Sequence, residues 1–302
     1  MTGASPSDRL DSMRQSSLNP GDLISIKELR ESGRRTARER ITALLDPNSF
    51  VEVDAFVQHR SGDHNMHLFK PLGDGVVAGH GMMDGRRIVC FAQDYSIFGG
   101  TMGEMHARKI KKVAEFAEKS QLPLIGIWDG DGQRAHEGVP SLGATGELLD
   151  ILVACSGRIP IISLILGAVS GVSALAAVLS DFVILSAEHG QMFMRSPYFI
   201  PEIINGEIDQ ETLGGAQSHA SRSGVACLIA DDEDDAIDIT AEILAYLPDH
   251  TLAEPLNIKS GDEWDRSCDK LTNLVPSDSN RPYDMVKVIE EIVDEGRFLE
   301  FF

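Results

Sequence analysis

Two glycine-rich turns carry the pattern in this sequence that points most directly to chemistry. One is Trp-Asp-Gly-Asp-Gly-Gln-Arg at 128–134, and the other is Gly-Ala-Val-Ser-Gly-Val-Ser at 167–173. Each follows an apolar stretch typical of a buried strand and leads into a predicted helix, so backbone N–H groups there lack intrahelical acceptors. Two such groups from adjacent turns can bind one carbonyl oxygen as an oxyanion hole, which stabilises a thioester enolate without a side-chain acid. The alternative is that the glycines only make tight turns.

Short motifs of several other enzyme classes are missing from the sequence. It contains no GxSxG, no phosphate-binding loop and no HExxH. The four cysteines are far apart and form no CxxC pair, which excludes a zinc ribbon, and we expect no metal site. They are Cys90, Cys155, Cys227 and Cys268.

The composition limits the partners of the protein. The chain has 302 residues and a formal net charge of −20, which repels nucleic acid and anionic membranes. An anionic ligand would therefore need a local basic patch or backbone N–H groups. The widely spaced cysteines and an N-terminus without an apolar core favour the reducing cytoplasm.

One uncharged stretch, residues 159–180, is long enough to span a membrane. It contains Pro160, Gly167 and Gly171, and its pattern divides into a strand at 159–166 and a small-residue helix. The division favours a buried core over a membrane span.

The order of elements favours an α/β fold, because strands and helices alternate after residue 99. Asp84-Gly85 is a strong hairpin turn signal between strands at 75–81 and 87–93. Residues 1–22 are polar and are expected to be disordered, and 251–302 is expected to form a linker and a C-terminal helix. The other predicted strands are 50–57, 122–128, 182–186, 192–194 and 225–229, and the predicted helices are 23–45, 102–119, 142–155, 173–179, 234–246 and 285–294.

Six longer stretches carry a specific resemblance. Together they resemble the N-terminal half of the carboxyltransferase subunit of biotin-dependent acyl-CoA carboxylases, of the propionyl-CoA and acetyl-CoA carboxylase beta type. The resemblance covers about residues 27–302. The stretches are RESGRRTARERITALLDPNSFVEVDAF (30–56), GDGVVAGHGMMDGR (73–86), FAQDYSIFGGTMGEMHARKI (91–110), EGVPSLGATGEL (137–148), LGGAQSHASRSGVA (213–226) and YDMVKVIEEIVDEGRFLE (283–300).

The resemblance implies a fold and a ligand. It implies a crotonase-like (ClpP-like) spiral of ββα units, as a single domain at 23–250 with an N-terminal helical extension. It also implies an acyl-CoA substrate, an oxyanion hole at the two turns and a homo-oligomeric assembly. The implied catalytic residues are Gly132, Gln133, Gly171 and Val172.

The chain departs from the family at both turns. The family's Gly-Gly-Ala-Arg is Asp-Gly-Gln-Arg at 131–134, and its Ala-Gly-Gly-Ala is Ser-Gly-Val-Ser at 170–173. The N–H groups survive, since every residue except proline has one. We expect Val172 to narrow the pocket, and the Asp131 carboxylate to repel an enolate oxygen if it points inward.

Basic and glycine residues are the candidates for binding coenzyme A. A cluster of arginines at 30–40 could bind the CoA phosphates, with Arg34, Arg35 and Arg38 as the main candidates; the alternative is a solvated face with internal salt bridges. Gly99 and Gly100 either admit the pantetheine or adenine part, or only shape a helix start. Arg134 contacts ligand or fixes its turn. His136 is either a general acid–base or a structural donor.

Three functions follow as hypotheses. The first is acyl-CoA carboxyltransferase, with biotin on a separate protein because the chain has no Met-Lys-Met motif. Fused family members carry a second crotonase-like domain beyond this point, so either the sequence is a piece, or another polypeptide supplies that half, or the protein works without biotin. The alternatives are a biotin-independent decarboxylase of malonyl-CoA or methylmalonyl-CoA and a non-catalytic CoA-binding subunit.

Overall fold

The computed structural model describes residues 5–197, 209–254, 256–257 and 259–301. They form two compact units, one ending at Ala253 and the other comprising Glu254–Phe301. The domain boundary predicted after residue 250 lies just before this division.

The N-terminal segment differs from the expectation of disorder, because helix α1 spans Pro6–Leu18. Ser5 and Asp8 form a capping box, in which each side chain binds the other's backbone N–H. Pro6 occupies the first turn, where a missing N–H costs nothing. The prediction of disorder, made from polar composition, is therefore wrong for this segment. The capping residues Ser5 and Asp8 were the sequence feature that indicated a helix.

The single helix predicted over 23–45 is instead two helices, α2 (Leu23–Glu31) and α3 (Ala37–Leu44). Gly33 ends the first with φ +78°, a conformation that favours glycine. Thr36 begins the second through a capping box with Glu39. The break lies within the arginine-rich segment at 30–40.

One eight-stranded mixed sheet organises the first unit. Its order is β1-β2-β3-β4-β5-β6-β8, and β7 pairs with β5. The β2–β3 hairpin turns at Asp84-Gly85, as predicted, with positive φ at both residues. From β3 onward all pairings in this sheet are parallel. The strands are β1 (Val51–Glu52), β2 (Val76–Met83), β3 (Arg86–Gln93), β4 (Leu124–Gly130), β5 (Ile161–Ser170), β6 (Phe182–Ser186), β7 (Gln191–Phe193) and β8 (Leu228–Ala230).

Helices cover the sheet and close the core. On α4 the buried residues Ala107, Ile110, Ala114 and Ala117 recur every three or four positions, which forms one apolar stripe. This stripe belongs to the same core cluster as the buried residues of α5. The helices after α3 are α4 (Glu104–Ser120), α5 (Val139–Cys155), α6 (Gly171–Ala177), α7 (Gln210–Gly214), α8 (Ala216–Ser218) and α9 (Glu233–Tyr246).

The uncharged stretch at 159–180 forms buried structure, as expected. It contains β5, a strand central to the sheet, and then α6, so it is not one continuous helix. Within the described ranges, no helix has both the length and the apolar character needed to cross a bilayer.

The described residues of the second unit include two α-helices, α10 (Leu271–Leu274) and α11 (Met285–Ile292). Arg266 donates to the carbonyls of Glu291 at 2.9 Å and Val293 at 3.2 Å. A guanidinium at this end supplies donors to carbonyls that have no intrahelical partner. The helix predicted at 285–294 is confirmed as α11, which is two residues shorter than expected.

A close backbone approach links the turn at 98–100 to the end of β4. A side chain at Gly100 would place its Cβ 2.1 Å from the Asp129 carbonyl oxygen, and one at Gly130 would lie 2.2 Å from the Gly100 carbonyl oxygen. Contacts this short leave no room for a methyl group, so both positions require glycine.

Gly100→Ala is expected to lower the free energy of unfolding by about 3 kcal/mol, since it combines backbone strain at φ +66° with a backbone clash. Urea denaturation followed by circular dichroism measures the change. Gly99→Ala is the matched control, because φ is +62° but no atom lies within 4 Å. Its expected loss is about 1 kcal/mol. Equal losses in the two variants would show that the close approach contributes nothing.

Lys109 on α4 generates a pH-dependent prediction. Its side chain is 2% exposed, and its Nζ donates to the Val76 carbonyl at 2.7 Å. Burial lowers the pKa of Lys109 from 10.5 to about 8. The unfolded chain therefore binds this proton more tightly, and the free energy of unfolding should rise between pH 8 and 10.5, by about 3 kcal/mol.

Lys109→Met removes this contribution. Urea denaturation at several pH values measures the unfolding free energy of both proteins. The wild type should become more stable relative to the variant as the pH rises from 8 to 10.5. Lys112→Met is the control, because the Lys112 side chain is 57% exposed and should give a flat difference. A flat difference for Lys109→Met as well would contradict the prediction.

Candidate active site

The two glycine-rich turns lie side by side at one edge of the sheet. Strands β4 and β5 are adjacent and parallel, so their carboxyl ends meet there. A Cβ at Gly132 would lie 3.1 Å from the Ser170 carbonyl oxygen, and a Cβ at Gly171 would lie 3.9 Å from Gly132 Cα. The adjacency that the sequence pattern requires for an oxyanion hole is therefore present.

The N–H of Gln133 is the available donor of the first turn. Gly132 donates its own N–H to the Gly130 carbonyl at 3.0 Å. Met102 bonds both neighbours of Gln133, donating to the Gly132 carbonyl at 2.7 Å and accepting from the Arg134 N–H at 3.0 Å. In the part of the chain that the structure describes, no acceptor binds the Gln133 N–H.

The second turn supplies N–H groups from the start of α6. Gly171 opens this helix with φ +55°, and Val172 follows it. N–H groups in the first turn of a helix have no intrahelical acceptor. The second turn is therefore able to donate toward the same space as Gln133.

The four residues expected to be catalytic border one cavity of about 490 Å³. Gly132, Gln133, Gly171 and Val172 all contribute to its wall. Val172 is half-buried and packs partly against the core, so the cavity remains beside its branched side chain. Gln133 turns its amide away to donate to Ser141 Oγ.

Asp131 and Ser170, two of the departures from the family pattern, form a pair in the same wall. The Ser170 hydroxyl donates to Asp131 Oδ1 at 2.5 Å. Ser170 is 5% exposed, whereas Asp131 is exposed. Both side chains border the cavity, so a carboxylate stands beside the two N–H-bearing turns.

Arg134 is buried, and its charge is matched inside the protein. Its Nη1 donates to Asp74 at 2.6 Å and to Glu137 at 2.8 Å, and its Nη2 donates to the Thr101 carbonyl at 2.9 Å. The guanidinium also lies 4.7 Å from the centre of the Phe98 ring. Arg134 thus ties its turn to the segment at 98–101, and it also borders the cavity.

The arginines expected to bind CoA phosphates are each paired with a carboxylate. Arg34 also lies over the Tyr95 ring at 4.8 Å. A phosphate would have to share or displace these partners. The pairs are Arg34 with Asp129, Arg35 with Asp234 at 2.6 Å, and Arg38 with Glu52 at 2.9 Å.

Of the two glycines expected to admit the cofactor, Gly100 is required by the chain itself, because it contacts the end of β4. Gly99 faces open space, with no atom within 4 Å of the place that a Cβ would take. Gly99 therefore remains open to a ligand, and Gly100 acts through packing.

Sequence reasoning counted Arg40 among the arginines that could bind phosphate and did not single out Asp129, yet the two residues form the centre of a buried ionic cluster. Asp129 is 0% exposed and accepts from Arg34 and from Arg40 at 2.7 Å. Arg40, 1% exposed, also donates to Glu233 at 2.6 Å and to the Leu166 carbonyl at 2.9 Å. The available signal was the position of Arg40 on the apolar face of α3.

A chain of hydrogen bonds leads from Asp129 to Arg134's partner Asp74. Gln93 accepts from the Asp129 N–H at 3.1 Å and donates to His106 Nε2 at 3.3 Å. The other ring nitrogen of His106 donates to the Asp74 carbonyl at 3.1 Å. Burial lowers the pKa of His106 well below its usual value, so this histidine is neutral and serves as a relay of hydrogen bonds.

His136 lies at the cavity wall and is exposed. Its ring contacts the ring of His64 edge-on, with 5.7 Å between the ring centres. This is a packing contact, and it does not indicate a catalytic role. Within residues 5–197 and the later described ranges, no group of three or more His, Cys, Asp or Glu side chains is placed to bind a metal ion.

The chain is similar to known proteins over almost all of its length. The sequence pattern of the carboxyl transferase domain matches residues 28–302. The chain is 42% identical over 298 residues to the biotin-dependent acetyl-/propionyl-coenzyme A carboxylase beta5 subunit of Mycobacterium tuberculosis, covering 96% of this chain and 54% of that one. It is 40% identical over 275 residues to the methylmalonyl-CoA decarboxylase subunit alpha of Veillonella parvula, covering 91% and 54%.

A solved structure shares the fold over the whole chain. It is the transcarboxylase 12S hexamer with methylmalonyl-coenzyme A and methylmalonic acid bound, which matches with a TM-score of 0.93 and 30% identity, covering 100% of this chain and 59% of that one. The chain spans about half the length of the curated relatives it matches. The mixed sheet and its helices are thus a crotonase-like fold, as expected, and the chain belongs to the carboxyl transferase domain family.

Proposed function

We propose that this chain is the acyl-CoA-binding half of a carboxyltransferase that stabilises a thioester enolate. The observation that carries the proposal is the adjacency of the Gln133 N–H and the first-turn N–H groups of α6 at one cavity. Relatives named as acyl-CoA carboxylase subunits support the same substrate class.

The N–H groups would bind the thioester carbonyl oxygen. As the bond at the α-carbon breaks or forms, negative charge moves onto that oxygen, and donors already in place bind it more tightly than the neutral carbonyl. They need no reorganisation, because Met102 and the Gly132 backbone fix the orientation of the Gln133 amide. Carboxybiotin on a separate carrier protein would supply the carboxyl group.

Of the three main candidates, Arg35 has the most exposed side chain, and it would share its charge with a CoA phosphate. Its side chain is 34% exposed and its partner Asp234 is 68% exposed, so solvent and ligand both reach the pair. The side chain of Arg34 is only 16% exposed, and its partner Asp129 is fully buried. Arg34 and Arg38 would then attract the CoA phosphates through the electrostatic field of their charges, more than through direct contact.

A partner half and an oligomeric assembly are part of the proposal. The outer face of α5 exposes Val139 (79%), Leu142 (63%) and Val153 (59%). Leu175 (40%) on α6 and Val178 (39%) at its C-terminal end are exposed as well. Exposed apolar side chains on two neighbouring helices favour burial against another chain. This face supports an assembly of several chains, and the related transcarboxylase 12S is a hexamer.

A second candidate function is decarboxylation of methylmalonyl-CoA, the reaction named for the 40% identical subunit of Veillonella parvula. In this second proposal the reaction would proceed without biotin. Loss of CO2 leaves the same enolate, so the same N–H groups would serve. A proton must then reach the α-carbon in place of a carboxyl group.

One assay separates the two functions. The purified chain is incubated with methylmalonyl-CoA, with and without free biotin as carboxyl acceptor, and propionyl-CoA is measured by mass spectrometry. Carboxyl transfer predicts product that depends on biotin. Product without biotin would favour decarboxylation. Binding of methylmalonyl-CoA without any product would show that the chain alone does not turn over, and the assay would then be repeated with the partner half to separate a carboxyltransferase half from a non-catalytic binding subunit.

The oxyanion donor itself is tested by a pair of variants. Gln133→Pro removes the N–H and should lower turnover of methylmalonyl-CoA about 100-fold, the usual effect of losing one donor. Gln133→Ala keeps the N–H and removes only the amide that binds Ser141, so it should retain most of the activity. Similar losses in both variants would show that the side chain, and not the backbone donor, matters.

A further inference from the structure

The pair formed by Asp131 and Ser170 has no role in enolate stabilisation, and its position is specific. Ser170 Oγ donates to Asp131 Oδ1 at 2.5 Å, and Ser170 is 5% exposed. A Cβ at Gly132 would lie 3.5 Å from Ser170 Oγ, so the hydroxyl lies against the turn that bears the Gln133 N–H. The hydrogen bond therefore holds a carboxylate at the wall of the cavity that would bind the thioester.

The negative charge of this carboxylate would repel an enolate bound in the cavity. An enolate oxygen at the Gln133 N–H would place a second negative charge near Asp131, and like charges at close range repel. Among the described residues, no Lys or Arg forms a close ion pair with the Asp131 carboxylate, and the Ser170 hydroxyl is its hydrogen-bond donor. A reaction in which Asp131 takes up a proton as the oxyanion forms would avoid this repulsion, because the total charge stays constant.

We propose that the Asp131–Ser170 pair gives the site a second activity, hydrolysis of acyl-CoA thioesters, with Asp131 as general base. The inference rests on the proposed function only for the placement of the thioester. Asp131 is exposed, so water reaches it, and Ser170 orients the carboxylate by occupying Oδ1. Ser170 is thus a positioning residue and Asp131 the catalytic one.

The step balances without any reactant besides water. Asp131 takes a proton from water as the water oxygen bonds to the thioester carbon, and the carbonyl electron pair moves to the oxygen held by the Gln133 N–H. The pair then returns, the C–S bond breaks, and the thiolate takes the proton from Asp131. The products are a carboxylic acid and free coenzyme A. Carboxyl transfer and decarboxylation both keep the C–S bond, so release of thiol reports only hydrolysis.

The experiment measures thiol release from propionyl-CoA by the full chain with a chromogenic thiol reagent, against a blank without protein. Binding of propionyl-CoA is measured on the same samples by isothermal titration calorimetry. Wild type should release thiol catalytically. Asp131→Asn keeps the shape and an acceptor for Ser170 but removes the base, so thiol release should fall at least 100-fold with binding retained.

Two further variants complete the test. Ser170→Ala should lower thiol release by less than Asp131→Asn does, because it removes only the orienting hydrogen bond. Asp238→Asn, an exposed carboxylate on α9, is the matched control and should leave the rate unchanged. A larger loss for Ser170→Ala than for Asp131→Asn would overturn the assignment of Asp131 as base.

The outcomes separate this inference from the proposed function. Binding of propionyl-CoA without thiol release above the blank overturns hydrolysis and leaves the enolate site standing. Thiol release that Asp131→Asn does not reduce also overturns the inference. Failure to bind propionyl-CoA at all overturns both, because no thioester then occupies the cavity.

Discussion

The buried carboxylate of Asp129 is the constraint on which the site depends. It lies at the end of β4, just before the turn with the Gln133 N–H, and it is 0% exposed. A carboxylate without water is costly unless cations and hydrogen bonds compensate for the lost hydration. Arg34 and Arg40 provide that compensation, and both come from the segment at 23–44 that contains α2 and α3. This segment thus helps to hold the site in place, although it lies far from the turn in sequence.

Arg40 extends the constraint to both strands that carry the turns. It binds Asp129 on β4 and the Leu166 carbonyl on β5, and Glu233 at the start of α9 neutralises the rest of its charge. Removing one partner would leave an uncompensated buried charge, which typically lowers the free energy of unfolding by about 3 to 5 kcal/mol. Because Arg40 binds residues of both strands, the cluster also holds β4 and β5 together near the two turns. On the other side of the first turn, Arg134 binds Asp74 and Glu137. The turn is fixed from both sides, and the donor geometry needs no support from a ligand.

Much of the frame follows from local sequence signals, and the ionic clusters do not. The hairpin at Asp84-Gly85, the buried strands β4 and β5 and the proximity of the two turns all follow from periodicity, turn residues and the parallel order. The helix α1 and the break before α3 were equally local, but their capping boxes were outweighed by composition. The partner of Arg40 depends instead on how the chain returns, since Glu233 lies 193 residues away. A charged residue on an apolar helix face signals a buried pair, but sequence gives no way to name the partner.

Two aspartates of the first turn show how position decides chemistry. Asp129 and Asp131 are two residues apart, yet their surroundings differ. Asp129 is enclosed by guanidinium groups, whereas Asp131 borders a cavity and accepts a hydrogen bond from the Ser170 hydroxyl. The first has its charge fully compensated, so it can only hold structure in place. The second has an exposed carboxylate beside hydrogen-bond donors that attract a carbonyl oxygen, an arrangement that disfavours charge build-up unless a proton is taken up at the same time. Under the proposals made above, this exposed carboxylate would give an enolate-stabilising site the means to accept a proton.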